Sequence, residues 1–155
     1  SPSVPPPSHF VRVSPDGKGF VLEGQPYRFM GANLWYGAHL AARGAAGDRG
    51  RLSRELDHLV RLGVRNVRVF ASSEGDSNVP YQAAPAIQPN PGEYSRGMLE
   101  GLDWLLQELS QRSMHAVLVL TNGRPGTGGM AQYVACMLLR FRTLPCLPPL
   151  ALARV

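Results

Sequence analysis

The stretch DRGRLSRELDHLVRLGVRNVRVF, residues 48–70, decides the fold because its hydrophobic period changes once. Before Gly63, apolar residues recur at helical spacing with charged residues between them, at positions Leu52, Leu56, Leu59 and Val60. Gly63 supplies the left-handed conformation at which many helices end. Residues 64–70 are then apolar enough for a buried strand. The stretch therefore predicts an amphipathic helix followed directly by a strand.

The same order of elements follows once more toward the C-terminus. Residues 95–111 repeat the helical pattern through Met98, Leu102, Leu105 and Leu109, and residues 116–120 form a continuous apolar run. Apolar strands that alternate with amphipathic helices are typical of right-handed βαβ units with a parallel sheet covered by helices. The predicted fold class is therefore α/β.

The N-terminal part of the chain has a different pattern. Residues 1–8 contain four prolines, which favour an extended linker. Two short alternating runs, residues 10–13 and 20–22, flank a Gly-rich turn and predict a β-hairpin. Residues 27–33 then predict a further strand that ends in small and polar residues.

Composition and spacing exclude several classes of function. The length of 155 residues suits one domain with a modest core. The net charge of +5 is no nucleic-acid signature, because acidic residues are interleaved with the arginines of residues 48–61, as on a solvated helix face. Cys136 and Cys146 lack the spacing of a zinc site, and Arg and Pro interrupt the apolar tail. We therefore expect no metal centre, no nucleic-acid partner and no membrane span.

Polar and aromatic residues follow the predicted strands at their carboxyl ends, where α/β folds build their sites. Asn33, Trp35 and Tyr36 follow one strand, and Asn122 follows another. Trp35 and Tyr36 are suited to stack on a sugar ring, and the two asparagines are suited to bond its hydroxyls. The alternative is that Trp35 caps the core of the fold.

Arg68 lies between Val67 and Val69, so strand alternation turns its side chain to the opposite face. In a closed barrel that face is the lumen, where a guanidinium needs a carboxylate or several other acceptors. The alternative is a solvated arginine on an edge strand. Glu74 and Glu93 are conceivable as a glycosidase pair, but both lie in loop sequence and we expect them to be solvated.

Five segments of the chain form a recognisable set. They are FMGAN with the nearby Trp35 (29–35), the helix 51–63 leading into NVRV (66–69), LEGLDW (99–104), VLVLTN (117–122) and GGMAQYV (128–134). Together they resemble the endo-β-1,4-mannanases of glycoside hydrolase family 5, from about Phe10 to Ala135. The resemblance implies a (β/α)8 barrel and retaining hydrolysis of β-1,4-mannosidic bonds in mannan or glucomannan, by a secreted enzyme without metal or organic cofactor. It also implies that Arg68 supports the catalytic nucleophile.

The chain departs from this family pattern where activity depends on it. Residues 123–125, Gly-Arg-Pro, stand where the family has a Trp shortly after the asparagine of its third strand. The family's acid/base Glu follows an Asn, and its nucleophile Glu ends the seventh strand. None of the six glutamates here follows an Asn. We therefore expect the chain to lack both catalytic carboxylates and to be inactive.

The resemblance sets the expected organisation: a linker at residues 1–8, the N-terminal part of a barrel domain at 9–135, and a non-matching tail at 136–155. A complete barrel needs about 250 residues. We therefore expect a truncated barrel, a hairpin and about three βα units, with an open edge at its last strand. Two functions stay open: a mannan endo-1,4-β-mannosidase by resemblance, or a non-catalytic carbohydrate-binding or regulatory fragment.

Overall fold

Two structural units follow one another along the chain, and they meet between Met30 and Gly31. The computed structural model describes residues 10–45, 47–75 and 82–141. The predicted linker at 1–8 and residues 142–155 of the predicted tail lie outside the described residues.

The first unit is an antiparallel sheet of three short strands in the order β1-β2-β3. They are β1 (Arg12–Val13), β2 (Phe20–Leu22) and β3 (Gln25–Pro26). In the turn between the first two, the Ser14 hydroxyl donates to Asp16 and accepts the main-chain N–H of Gly19 at 2.9 Å. The predicted hairpin is confirmed, and β3 lengthens it to a three-stranded sheet.

The second unit is a parallel sheet in the order β4-β5-β6, packed against helices. Its strands are β4 (Gly31–Asn33), β5 (Asn66–Phe70) and β6 (His115–Val119). Its helices are α1 (Gly37–Ala41), α2 (Arg49–Arg61), α3 (Arg96–Gln111) and α4 (Gly129–Phe141), with a 3-10 turn at Pro125–Thr127. Asn33 lies beside Arg68, and Arg68 beside Val117, so the strands end at one common edge. The predicted α/β class is confirmed.

Side-chain caps begin the two long helices. Asp48 accepts the main-chain N–H of Arg51 at 2.8 Å, and the Ser95 hydroxyl accepts that of Met98 at 3.4 Å. Each cap satisfies one of the N–H groups that the first helical turn leaves free. Gly63 has a φ of 80°, the left-handed conformation that follows α2. Both helices therefore lie where the hydrophobic period predicts them.

The core lies between one face of the sheet and these helices. Its fully or almost fully buried members include Leu52, Leu56, Val67, Val69, Met98, Leu105 and Leu109. The leucines occur at a spacing of four residues along each helix, so each helix turns one apolar stripe inward. Burial of one such side chain contributes about 1.5–3 kcal/mol. Packing on this face therefore holds the second unit together.

A partly buried arginine network connects α3 to α2. The Arg112 guanidinium donates to Asp57 at 2.7 Å and to Ser53 at 2.7 Å, both on α2, and to Glu108 on α3 at 2.8 Å. Only 16% of the Arg112 side chain is exposed. Charge-assisted bonds at such a site are screened less than those of an ordinary surface pair. The network adds a polar clamp to the apolar packing of the two helices.

Helix α1 is not predicted from the sequence. It packs closely against α3 at Gly101. A Cβ at Gly101 would lie 2.8 Å from the Ala38 carbonyl oxygen and 2.7 Å from the Ala42 nitrogen, so only glycine permits this approach. The five residues GAHLA of α1 are mostly small and show no amphipathic period. Nothing local in the sequence therefore marks this helix.

The strand predicted over residues 27–33 is too long and is corrected here. Only Gly31–Asn33 is a strand of the parallel sheet. Its partner β5 begins at Asn66, which lies opposite Gly31, so the preceding residues have no counterpart in β5. The other two predicted parallel strands match β5 and β6 within two residues at each end.

Helix α4 is also absent from the sequence-based expectation. It spans Gly129–Phe141 without interruption. Residues 135 and 136 are consecutive residues of this helix. The predicted boundary between residues 9–135 and the tail therefore does not coincide with a break in secondary structure.

The described strands form an open sheet and not a closed barrel. β5 pairs with β4 on one side and with β6 on the other, so β4 and β6 are the edges within the described residues. Val117, Leu118 and Leu120 at the β6 edge are exposed. Three parallel strands with helices between them agree with the expected N-terminal part of a (β/α)8 barrel.

Candidate functional site

A cleft of about 1000 Å³ lies at the carboxyl ends of the three parallel strands. Each strand, or the residues directly after it, contributes to the wall, and two loops complete it. The lining residues are Asn33, Trp35, Arg68, Phe70, Gln82, Ala83, Asn122, Arg124, Gly126 and Thr127. The structure therefore brings together four of the five side chains proposed from the sequence, Asn33, Trp35, Arg68 and Asn122.

Arg68 lies on the cleft face of β5, as strand alternation predicts. Its neighbours Val67 and Val69 are fully buried on the opposite face, whereas Arg68 is exposed. Its guanidinium donates to the Asn33 side-chain oxygen at 3.1 Å, and its Cζ lies 5.3 Å from the centre of the Phe70 ring. An amide and an aromatic face thus hold Arg68 in the cleft.

Trp35 presents an accessible indole to the cleft. The side chain is 41% exposed, and its ring centre lies 5.8 Å from that of Phe70. The two rings form an aromatic part of the cleft wall that extends from β4 to β5. A flat, accessible indole beside amide groups is suited to stack on a sugar ring.

Tyr36 is not among the residues that line this cleft, although its ring meets that of Trp35 edge-to-face with ring centres 5.4 Å apart. Its hydroxyl donates to Glu55 of α2 at 2.9 Å, and the Arg51 guanidinium carbon lies 5.7 Å from its ring centre. Burial and the neighbouring Glu55 raise the pKa of the Tyr36 hydroxyl. Tyr36 directly precedes α1, and its ring packs against the core.

Asn122 organises the turn that follows β6. Its side-chain oxygen accepts the main-chain N–H of Arg124 at 3.1 Å. The Arg124 carbonyl in turn accepts the main-chain N–H of Thr127 at 3.3 Å. These bonds keep the turn at the cleft, which Asn122, Arg124 and Thr127 all line.

Glu74 is buried, and the expectation that it is solvated is wrong. It is 7% exposed, and its Oε1 accepts the Tyr133 hydroxyl at 3.0 Å. Its Oε2 is also buried and meets no donor among the described residues. Burial raises the pKa of the Glu74 carboxyl, and the bond from Tyr133 opposes this effect. Glu93 is exposed as expected, and its carboxylate accepts the Asn90 side-chain amide at 2.8 Å.

The loop around Glu74 joins the two loops that complete the cleft wall. The Glu74 main-chain N–H donates to the Thr127 carbonyl at 3.1 Å, and the Gln82 side-chain amide donates to the Glu74 carbonyl. The Ala83 N–H donates to the Gly126 carbonyl at 2.8 Å. Glu74 therefore lies behind the wall and supports it, without lining the cleft.

Sequence reasoning does not find several lining residues. Phe70 is predictable from the sequence, because strand alternation places residue 70 on the same face as Arg68. Gln82, Ala83, Gly126 and Thr127 carry no such signal, because they reach the cleft through contacts between loops.

Two kinds of site are not found among the described residues. No cluster of three or more His, Cys, Asp or Glu side chains suitable for a metal ion occurs in residues 10–45, 47–75 and 82–141. In the same part of the chain, no helix combines the length and hydropathy needed to cross a bilayer.

Comparison with known families gives the decisive observation. The family model described as GH family 5 beta-mannosidase-like matches residues 8–142. The chain belongs to glycoside hydrolase family 5. This family 5 assignment agrees with the resemblance inferred from the sequence, and it extends over both structural units.

Plant enzymes are among the similar sequences of this family 5 chain. Mannan endo-1,4-beta-mannosidase 5 of Solanum lycopersicum is 32% identical over 125 residues, which are 81% of this chain and 28% of that protein. Mannan endo-1,4-beta-mannosidase 1 of Oryza sativa subsp. japonica is 33% identical over 125 residues, or 81% of this chain and 27% of that protein. The chain thus spans less than a third of the length of these relatives.

Solved structures give the same family. The family 5 mannosidase of Rhizomucor miehei matches with a TM-score of 0.80 and 42% identity, over 84% of this chain and 32% of that chain. A variant of that enzyme has been solved in complex with mannosyl-fructose. An endo-1,4-beta-mannanase from the same fungus shares the fold, with a TM-score of 0.61 and 23% identity over 83% of this chain and 34% of that chain.

Proposed function

We propose that the cleft binds β-1,4-linked mannose chains, as in mannan or glucomannan, and that the chain provides sugar-binding groups of a mannan endo-1,4-β-mannosidase. The observation that carries the proposal is that Asn33, Trp35, Arg68 and Asn122, distant in sequence, line one cleft. An accessible indole suits the C–H face of a sugar, and amides suit its hydroxyls. The mannan-directed plant relatives and the mannosyl-fructose complex of the fungal neighbour support a mannose-type ligand.

We further propose that this chain binds such a ligand without hydrolysing it. Retaining hydrolysis needs two carboxyl groups about 5–5.5 Å apart beside the scissile bond. The lining residues that the structure describes include no carboxylate. Glu74 lies behind the wall with its carboxyl bonded to Tyr133. Arg68, which by resemblance supports a nucleophile, donates to the Asn33 amide.

The location of the protein is part of the same proposal. Mannan and glucomannan are extracellular polysaccharides, and the resemblance implies a secreted protein. We propose that the chain acts outside the cell. Its distribution between culture medium and washed cells, measured with an antibody, tests this, and retention inside the cells would contradict it.

Two measurements on the purified full chain test function and competence separately. Reducing-sugar release from galactomannan measures turnover, and retardation in a native gel that contains galactomannan measures binding. We expect retardation without sugar release, and no retardation in a gel that contains a soluble cellulose derivative. Sugar release that scales with protein concentration would refute the proposed inactivity. Absence of retardation in every gel would refute the proposed sugar binding.

A matched pair of aromatic variants shows whether the cleft is responsible. Trp35→Ala removes the stacking surface and should weaken binding about fivefold. Tyr94→Ala removes an exposed aromatic ring that is not part of the cleft lining and should leave binding unchanged. Equal effects of the two variants would show that the polysaccharide contacts the protein elsewhere.

A further inference from the structure

Two arginines line the cleft, Arg68 on β5 and Arg124 after β6. The described lining residues include no Asp or Glu, and the other polar side chains there are three amides and a hydroxyl. The described part of the lining therefore carries two positive charges and no negative one. Such a surface attracts anionic ligands, and a cleft concentrates the effect.

The two arginines differ in what already holds them. Arg68 is engaged by the Asn33 amide and the Phe70 ring. Arg124 is held through its main chain, which bonds to Asn122 and Thr127 at 3.1 and 3.3 Å. Its guanidinium forms no hydrogen bond or ion pair with residues 10–45, 47–75 or 82–141. Within the part of the chain that the structure describes, its five N–H donors are therefore available to a ligand.

Three of the acidic side chains that the structure describes are engaged by other partners. Glu74, the acid behind the cleft wall, is buried: its Oε1 accepts the Tyr133 hydroxyl and its Oε2 has no access to solvent. Glu55 and Asp57 on α2 bond to Arg51 and Arg112 respectively. Arg124 thus has a fixed backbone and a guanidinium that no other described residue engages, and it lines the same cleft as Trp35.

We propose that the cleft is selective for a mannose-type saccharide that carries a carboxylate, and that Arg124 determines this selectivity. The inference rests on the proposed function, because Trp35 and the asparagine amides supply the contacts to the sugar. The planar guanidinium matches a carboxylate with two parallel N–H···O bonds. A neutral hexose offers only hydroxyls, which gain no charge-assisted bond.

Two trisaccharides that differ only at C6 test the proposal. β-1,4-Linked mannotriose carries CH₂OH groups, and β-1,4-linked trimannuronate carries carboxylates with the same ring stereochemistry. In calorimetric titrations of the full chain at low salt, we expect trimannuronate to bind about tenfold more tightly. At about 1 M ionic strength, where the Debye length is near 3 Å, the difference in affinity between the two trisaccharides should become smaller.

Three variants assign the effect to Arg124. Arg124→Gln should abolish the preference for trimannuronate over mannotriose. Arg124→Lys keeps the positive charge but loses the two parallel N–H donors of the guanidinium, and should retain part of the preference for trimannuronate. Arg61→Gln makes the same charge change in the last turn of α2, near the amino ends of the strands, and should leave both affinities unchanged.

The outcomes separate this inference from the proposed function. Equal affinities for the two sugars, or a preference that survives Arg124→Gln, would overturn the inference while mannotriose binding still supports the proposed function. Binding of neither sugar would overturn both. Displacement of trimannuronate by an equal concentration of inorganic phosphate would also overturn it, because the site would then recognise any small anion and not a saccharide.

Discussion

The two faces of strand β5 divide the second unit into a packed side and an open side. Val67 and Val69 on the packed side are fully buried and belong to the same core cluster as the inward-facing leucines of α2 and α3. Arg68 and Phe70 on the open side line a cleft. Five consecutive residues thus contribute both to the core and to the candidate site, through alternation alone.

The contrast between the two sides indicates that different residues determine stability and binding in this unit. On the packed side, apolar burial and the Arg112 network hold the elements together. On the open side, the polar groups are held by amides, an aromatic ring and loop backbone, and they remain accessible. Substitutions on the packed side should therefore reduce the free energy of unfolding, whereas those on the open side should change binding.

The largest expected effect is on the packed side. Leu105 is fully buried in α3, and Leu105→Ala should lower the free energy of unfolding by about 2–5 kcal/mol, through lost burial and a cavity. Urea denaturation followed by circular dichroism measures this. Leu120→Ala is the matched control, because Leu120 is 69% exposed, and it should cost less than about 0.5 kcal/mol. Similar losses in both variants would contradict the division into two sides.

The polar clamp between α2 and α3 should have the next largest effect. Arg112→Ala removes bonds to Asp57, Glu108 and Ser53 and should cost about 1–3 kcal/mol of unfolding free energy. Arg96→Ala breaks the exposed pair with Glu100 and should cost no more than about 0.5 kcal/mol. If the two variants unfold at the same urea concentration, the Arg112 network contributes no more than a surface pair.

The buried carboxyl behind the cleft wall should make stability depend on pH. The pKa of Glu74 is raised in the folded protein, mainly by burial, so the folded state holds its proton more tightly than the unfolded chain does. The contribution of Glu74 to stability is therefore greatest below its ordinary pKa of 4.5 and falls as pH rises toward the folded-state pKa. Glu74→Gln should remove this fall and be at least as stable as the wild type at neutral pH.

The difference between variant and wild type, followed by urea denaturation from acidic to neutral pH, isolates this group from the other acids. Glu93→Gln is the matched control, since Glu93 is exposed. The difference in unfolding free energy between Glu93→Gln and the wild type should stay constant over this pH range. A Glu74→Gln protein that loses stability at neutral pH would mean that an ionised Glu74 has a partner.

The smallest expected effect on stability comes from the open side. Arg68→Ala removes one hydrogen bond to Asn33 and a contact with Phe70, and should change the free energy of unfolding by less than about 1 kcal/mol. Galactomannan binding should weaken, because Asn33 loses the group that orients its amide. A loss of stability above about 2 kcal/mol would show that Arg68 supports the packed side as well.

Sequence reasoning predicts the framework better than the site. Helices α2 and α3 and strands β5 and β6 are predictable, because their apolar periods and caps lie within each segment. The face of Arg68 is predictable for the same reason. Helix α1 and the burial of Glu74 are not, since the first depends on close approach to Gly101 and the second on a hydrogen bond from Tyr133, 59 residues away.

The sequence by itself determined the α/β class, the order of its elements, its family resemblance and the alternation that turns Arg68 away from Val67 and Val69. These properties depend on residues near one another along the chain. Only the tertiary structure decided that Tyr36 bonds to Glu55 while Trp35 lines the cleft, and that Arg124 joins Arg68 there. Such choices depend on which distant segments meet, and a side chain's partners and access to water exist only once those segments are packed.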